Sequence, residues 1–117
     1  MVELTVYKRF TEETVNYENW VKLCYQNQEG EYLEGQIKAQ ITAYYKIPKS
    51  YTKKRIETIR KGLEYPQKKP DADNIGKIIL DALNNIAYKD DSQVVELTVY
   101  KRFTEETERV EFELKEI

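Results

Sequence analysis

The sequence predicts an α+β fold, a small mixed or antiparallel sheet carrying three helices, and three patterns carry that reading. Residues 36 to 47 alternate strictly, with Ile37, Ala39, Ile41, Ala43, Tyr45 and Ile47 on one side, the period of a strand with one buried face. Ile75, Ile78, Ile79, Ala82, Leu83 and Ile86 recur at the spacing of one apolar helix face. Towards the end, Val95, Leu97 and Val99, then Val110, Phe112 and Leu114, alternate again as two further strands with these residues inward.

The other elements fall between these anchors. Residues 15 to 27 read as a helix whose apolar face joins Tyr17, Trp20, Val21, Cys24 and Tyr25, so Cys24 is expected to pack, not to react. Residues 29 to 35 form a loop, and the strand of residues 36 to 47 follows. Ser50 is placed to cap a second, basic helix that runs to about Lys61 and stops at Gly62. An irregular stretch with Pro66 and Pro70 leads to the third helix, from about Asn74 to Asn85, with Asp73 at its N-cap. Strands at about 94–103 and 110–115 close the chain as an antiparallel hairpin joined through Thr104 to Glu108.

At 117 residues the chain suits one core and one domain. Cys24 is the only cysteine, which rules out an intrachain disulfide, and no apolar run suits a signal peptide or a membrane span. Residence in the cytoplasm and no membrane partner are the expectations. The net charge of −2 conceals a sharp asymmetry. Between Lys46 and Lys69 nine basic residues (Lys46, Lys49, Lys53, Lys54, Arg55, Arg60, Lys61, Lys68 and Lys69) face only Glu57 and Glu64, a local balance of +7. The remainder holds 10 basic and 19 acidic residues. A basic segment that leads straight into carboxylates fits a surface that brings a backbone phosphate to a metal site. Standing alone it would read as a solvated lysine-rich helix.

Those carboxylates lie in Lys69-Pro70-Asp71-Ala72-Asp73-Asn74, at Asp81, and in Asp90-Asp91-Ser92-Gln93, in a chain without histidine. Pro70 biases Lys69 towards an extended conformation, and continued extension would turn Asp71 and Asp73 to the same side. Carboxylates gathered with a third would resist joint ionisation unless a cation neutralised them. An all-oxygen set suits magnesium or manganese, not zinc. Singly, each residue also has an ordinary structural role: Asp73 as a cap, Lys77 and Asp81 as an exposed pair four residues apart, Asp90-Asp91-Ser92 as a turn. Their joint order and spacing favour chemistry.

This constellation resembles the RusA family of Holliday junction resolvases through Asp71-Ala72-Asp73-Asn74, then Asp81-Ala82-Leu83, then Asp90-Asp91-Ser92-Gln93-Val94. The resemblance implies a magnesium-dependent endonuclease acting on four-way junctions or other branched DNA, without a small-molecule cofactor. It places the metal on Asp71, Asp73 and Asp91 and assigns Lys77 to cleavage. Asp90, Asn74 and Asp81 are expected around that site. It also implies a homodimer. A helix from Asn74 to Asn85 is about 18 Å long, and residues 86 to 91 return along it to Asp73 only if nearly extended. Antiparallel helices in a two-fold dimer would bring Asp91 of one copy to Asp71 and Asp73 of the other without that strain.

Residues 2 to 14, Val-Glu-Leu-Thr-Val-Tyr-Lys-Arg-Phe-Thr-Glu-Glu-Thr, recur unchanged at 95 to 107. An old duplication would have drifted, so a recent gene rearrangement or an error in the sequence record accounts for such identity better than a two-repeat architecture. The second copy continues from the acidic signature, so it is expected in an interior hairpin position. The first stands where RusA-like proteins carry their own strand and a basic loop, and Val2, Leu4 and Val6 alternate well enough to make an edge strand.

Overall fold

The computed structural model describes residues 1–10, 14–28 and 30–117, so residues 11–13 of the first repeat and Glu29 of the expected loop lie outside the description. The elements are β1 (Val2–Val6), α1 (Thr14–Asn27), β2 (Ile37–Lys46), α2 (Lys53–Arg60), α3 (Ala72–Ala82), a short 3-10 turn (Asp91–Gln93), β3 (Val94–Thr104) and β4 (Arg109–Glu116). Three helices and a mixed four-stranded sheet make the fold α+β, as the periodicities predict.

The sheet order is β1-β4-β2-β3. β4 lies antiparallel between β1 and β2, while β2 and β3 run parallel. Side chains of successive strands therefore meet in rows across one face: Val2 opposes Leu114 and then Ala39, Leu4 opposes Phe112 and then Ile41, and Val6 opposes Val110 and then Ala43. All nine are buried. Tyr17, Val21 and Tyr25 of α1 and Ile75, Ile78 and Ile79 of α3 join the same core. The opposite face carries Glu3, Thr5, Lys38, Gln40, Thr42, Glu111 and Glu113, the polar half of each alternation. α2 contributes no buried residue and sits outside the core, in the long crossover between the parallel strands β2 and β3.

The expected hairpin of the last two strands is not formed, because β2 lies between them. The link from Thr104 to Glu108 instead passes over the end of β2 and satisfies it. The Thr104 carbonyl accepts from Ile47 N–H (3.2 Å) and the Glu108 carboxylate from Lys46 N–H (3.1 Å). Both copies of the repeated segment are thus edge strands. The first occupies an edge as expected, whereas the second is displaced from the interior position expected for it. Leu97 and Val99 turn towards α3 as expected, but at this open edge Leu97 stays 44% exposed, and Val95, beside a register shift, is 55% exposed, while Val110, Phe112 and Leu114 are buried as expected.

Local chemistry adjusts the helix boundaries. Thr52, not Ser50, caps α2, its hydroxyl accepting from Arg55 N–H at 3.2 Å. The stop at Gly62 is as expected: its φ of +73° is a left-handed conformation, open to glycine at little cost. α3 begins two residues earlier than Asp73 would require, with Asp71 as its N-cap, and ends at Ala82 instead of Asn85. Asn85 adopts φ +63°, a conformation that asparagine tolerates, and it turns the chain out of the helix. On α1, Tyr17, Val21 and Tyr25 are buried and Cys24 is partly covered, but Trp20 is 41% exposed, with Lys8 Nζ 5.0 Å from its ring centroid.

The repeat offers an internal control on stability. Leu4 and Leu97 have the same local sequence, but Leu4 is 3% exposed and Leu97 is 44% exposed. Leu4→Ala is expected to cost about 3 kcal/mol and Leu97→Ala about 1 kcal/mol. Urea unfolding of the two variants checks this, and equal losses would contradict the assignment of the two edges.

Candidate active site and nucleic-acid surface

α3 organises the acidic residues. Its apolar positions Ile75, Ile78, Ile79 and Ala82 face the core, which leaves Asp73, Lys77 and Asp81, four residues apart, as a polar line on the other side. Gly76 sets the helix close to the sheet: a Cβ there would meet Leu97 Cδ2 at 3.0 Å and Val99 Cγ2 at 3.2 Å. A larger residue would require Leu97 and Val99 to give way by a few tenths of an ångström.

Asp71 and Asp73 both lie at the start of α3. Asp71 caps with its backbone, its carbonyl accepting from Ile75 N–H at 3.1 Å, and its side chain makes no capping hydrogen bond. Asp73 lies in the first turn, so neither the expected cap nor the extended alternation describes it. Both carboxylates are exposed at a helix N-terminus, where the peptide dipoles favour negative charge. Asn74 is half-buried behind them.

Asp91 belongs to the other end of the helix. Its carboxyl group interacts with that of Asp81, and partial burial, reinforced by Asp81 and then Asp90, raises its pKa above the ordinary carboxylate value. Ten residues separate Asp71 from Asp81, or roughly 15 Å along the axis. One chain therefore sets Asp71 and Asp73 at one end of α3 and brings Asp81 to Asp91 at the other, without gathering the trio Asp71, Asp73 and Asp91. Among the described residues, no group of three potential acidic, histidine or cysteine ligands is gathered closely enough to hold a metal ion. The donor chemistry suits a hard cation, but within one chain the arrangement is incomplete. Asp81 faces Asp91, and no ion pair joins it to Lys77 among the described residues.

Asn84, which sequence reasoning passed over, and Gln93, named there only as part of the signature, hold Asp91 in place. Asn84 Oδ1 accepts from Asp91 N–H at 2.8 Å. Gln93 Oε1 accepts from Lys89 and Asp90 N–H (3.0 and 3.2 Å), while its Nε2 donates to the carbonyls of Leu33 and Gly35, both at 3.1 Å. Asp90 completes a capping box by accepting from Ser92 N–H, and this hydrogen bonding lowers its pKa. The signal was legible: Asp90-Asp91-Ser92-Gln93 has the spacing of a capping box. Beneath the turn, Tyr88 is fully buried and donates to the Leu80 carbonyl at 2.6 Å, and burial pushes its phenol pKa upward.

The basic segment forms an exposed surface around α2 and the stretch that leads to Asp71. Lys46, Lys49, Lys53, Lys54, Lys61, Lys68 and Lys69 are all exposed, and none takes part in an ion pair among the described residues. The two arginines are occupied. Arg55 pairs with Glu64 at 3.0 Å, and Arg60 binds Glu105 through two nitrogens at 2.8 and 2.9 Å. Seven lysines, more than the arginines, are thus left to meet an anion.

The three helices, the mixed sheet, and an acidic signature at both ends of α3 define a RusA-type domain. The chain belongs to the RusA endodeoxyribonuclease family, whose model matches residues 5–115. It is also similar to "Uncharacterized protein YqaN" of Bacillus subtilis (strain 168), with 45% identity over 87 residues. That match covers 73% of this chain and spans 61% of the relative's length. No helix among the described residues is long and apolar enough to cross a membrane.

If Gln93 is the clasp of the Asp91 turn, charge matters more than size. Gln93→Glu, which turns an acceptor towards two carbonyls, is expected to lower stability by about 2 kcal/mol, at least as much as Gln93→Ala. Chemical denaturation of the two variants provides the measurement.

Proposed function

We propose that this chain is a magnesium-dependent, structure-selective DNA endonuclease that hydrolyses phosphodiester bonds at four-way junctions or similar branches. Membership of the RusA family with Asp71, Asp73 and Asp91 all retained is the observation that carries this reading. The unpaired lysines beside Asp71 support it, because they supply a sequence-independent attraction for the DNA backbone.

The active unit is a homodimer in which Asp71 and Asp73 of one copy join Asp91 of the other. The separation of the two acidic pairs within one chain supports this arrangement: antiparallel α3 helices would set the far end of one beside the near end of its mate. A bound magnesium or manganese ion would supply an activated water and offset the charge that develops on the phosphate oxygens. Lys77, midway along the same polar line, would pair with the phosphate. Asp90, Asn84 and Gln93 would hold the turn that carries Asp91, and Asn74 would support the first acidic pair. Asp81 shares the Asp91 end and raises its negative charge density.

Asp73→Asn is expected to reduce junction cleavage at least a hundredfold, about 2.7 kcal/mol in barrier, while leaving the melting temperature nearly unchanged. Mixing Asp73→Asn chains with Asp91→Asn chains should restore one complete acidic cluster per heterodimer and measurable nicking of one strand. No recovery would show that the site is self-contained.

Affinity for DNA should fall steeply with salt. Replacing Lys53, Lys54 and Arg55 together by Gln is expected to flatten the salt slope by about two contacts, since Arg55 is already held by Glu64. An unchanged slope would leave α2 as solvated surface.

A second reading is a module of the same fold that binds branched DNA without cutting it. The incomplete carboxylate set within one chain favours it if the protein stays monomeric. Junction binding without cleavage, in magnesium and at concentrations where a dimer would form, would select this alternative.

A further inference from the structure

A cavity of about 530 Å³ lies beside the acidic motif, between the end of β2, the N-terminal end of α2 and the stretch that precedes Pro70. Its walls combine two kinds of group. Tyr51, Tyr65 and Phe103 supply aromatic rings, and Lys46, Lys68 and Lys69 supply cations without ion-pair partners among the described residues.

The planar groups are already oriented. Arg55 lies over the Tyr51 ring at 3.6 Å from its centroid, and Glu64 accepts from its Nε through both oxygens at 3.0 and 3.2 Å. Arg102 stands 4.3 Å from the centroid of Tyr65 and 4.7 Å from that of Tyr100. The edge of Phe103 meets Tyr51 at 6.1 Å between centroids. Lys101 Nζ donates to the Lys68 carbonyl at 2.6 Å, tying the outer wall to β3. A surface that only attracted phosphates would need the lysines but not the rings.

We infer that this cavity receives an unpaired nucleobase of a DNA strand whose adjoining phosphates lie over Lys68 and Lys69. Aromatic rings and guanidinium planes stack on the face of any base, and a groove of cations follows the backbone. The volume is of the size that accepts a small ligand and is far too small for a duplex. Lys69 lines the cavity and Asp71 lies two residues on, so a strand anchored here would run on towards the start of α3. The inference rests on the DNA-binding half of the proposed function, not on cleavage. The first copy of the repeat takes part through Arg9, which lines the cavity and stands 5.6 Å from the centroid of Tyr45.

The test uses fluorescence anisotropy in EDTA, without any divalent ion, to compare a short oligothymidylate with an abasic strand of equal length and charge. The full chain is expected to prefer the strand that carries bases by about tenfold, the scale of one stacked base. Tyr65→Leu should erase that preference and leave affinity for a blunt duplex unchanged, whereas Tyr65→Phe should retain it. Tyr65 is 46% exposed, so neither change opens the core, and melting temperatures close to the parent's would establish that both variants are folded. Equal affinity for the two strands, or a preference that survives Tyr65→Leu, would overturn the inference. Displacement of the strand by an equimolar amount of thymidine monophosphate would also overturn it, in favour of a free-nucleotide site. A junction-cleavage assay in magnesium separates the two ideas: base preference without cleavage keeps the cavity and removes the nuclease, and cleavage without base preference does the reverse.

Discussion

Everything in this molecule is built against the apolar face of β2. Ile37, Ala39, Ile41 and Ala43 are almost wholly removed from water, and this continuous stripe is the surface against which the neighbouring strands and the helical layer pack. β2 also takes β4 on one side and β3 on the other, in opposite senses. The parallel partner demands a long crossover, and that crossover contains α2, the lysine-rich stretch and α3. The placing of the basic surface next to the acidic helix is therefore a consequence of how β2 is paired.

α3 translates this scaffold into chemistry. One side is fixed by Ile75, Ile78 and Ile79 in the core and by the close approach at Gly76. The other displays Asp73, Lys77 and Asp81 as a rigid row. A helix keeps its ends apart, so acidic residues at both ends cannot converge in one chain. The same rigidity fixes the two acidic ends apart, and Asp91 is held at its own end by Asn84 and by the Gln93 clasp.

Periodic elements with one buried face were legible in the sequence. β2, β4 and α1 match their expected ranges to within about two residues, because alternation or helical spacing there reflects burial directly. The pairing of β3 was not legible. Its alternation is as clear as that of β1, but pairing depends on what the rest of the sheet leaves open. Caps were misplaced for a related reason: Ser50 and Thr52 are both competent, as are Asp71 and Asp73, and tertiary packing chooses between them. The acidic residues were legible as a pattern, and the length of α3 already set Asp91 far from Asp73, but the approach of Asp91 to Asp81 required coordinates. The cavity lined by Tyr51, Tyr65 and Phe103 left no local signal, since its walls come from four separate parts of the chain.

The two copies of Val-Glu-Leu-Thr-Val run in the same direction along opposite margins of one sheet, with Leu4 and Val6 in one and their counterparts Leu97 and Val99 in the other turned to the helical layer. A margin strand needs only one neighbour and one apolar side, so it makes the mildest demands of any position in a sheet. A sheet can therefore grow by accretion: a segment that already suits one margin carries what the other requires, and the interior strands need not be redesigned to admit it. Open margins are usually discussed as places where foreign chains adhere. Here the margin works as a docking berth for the protein's own sequence, where a copied strand can enter the fold with its hydrophobic side already facing inward.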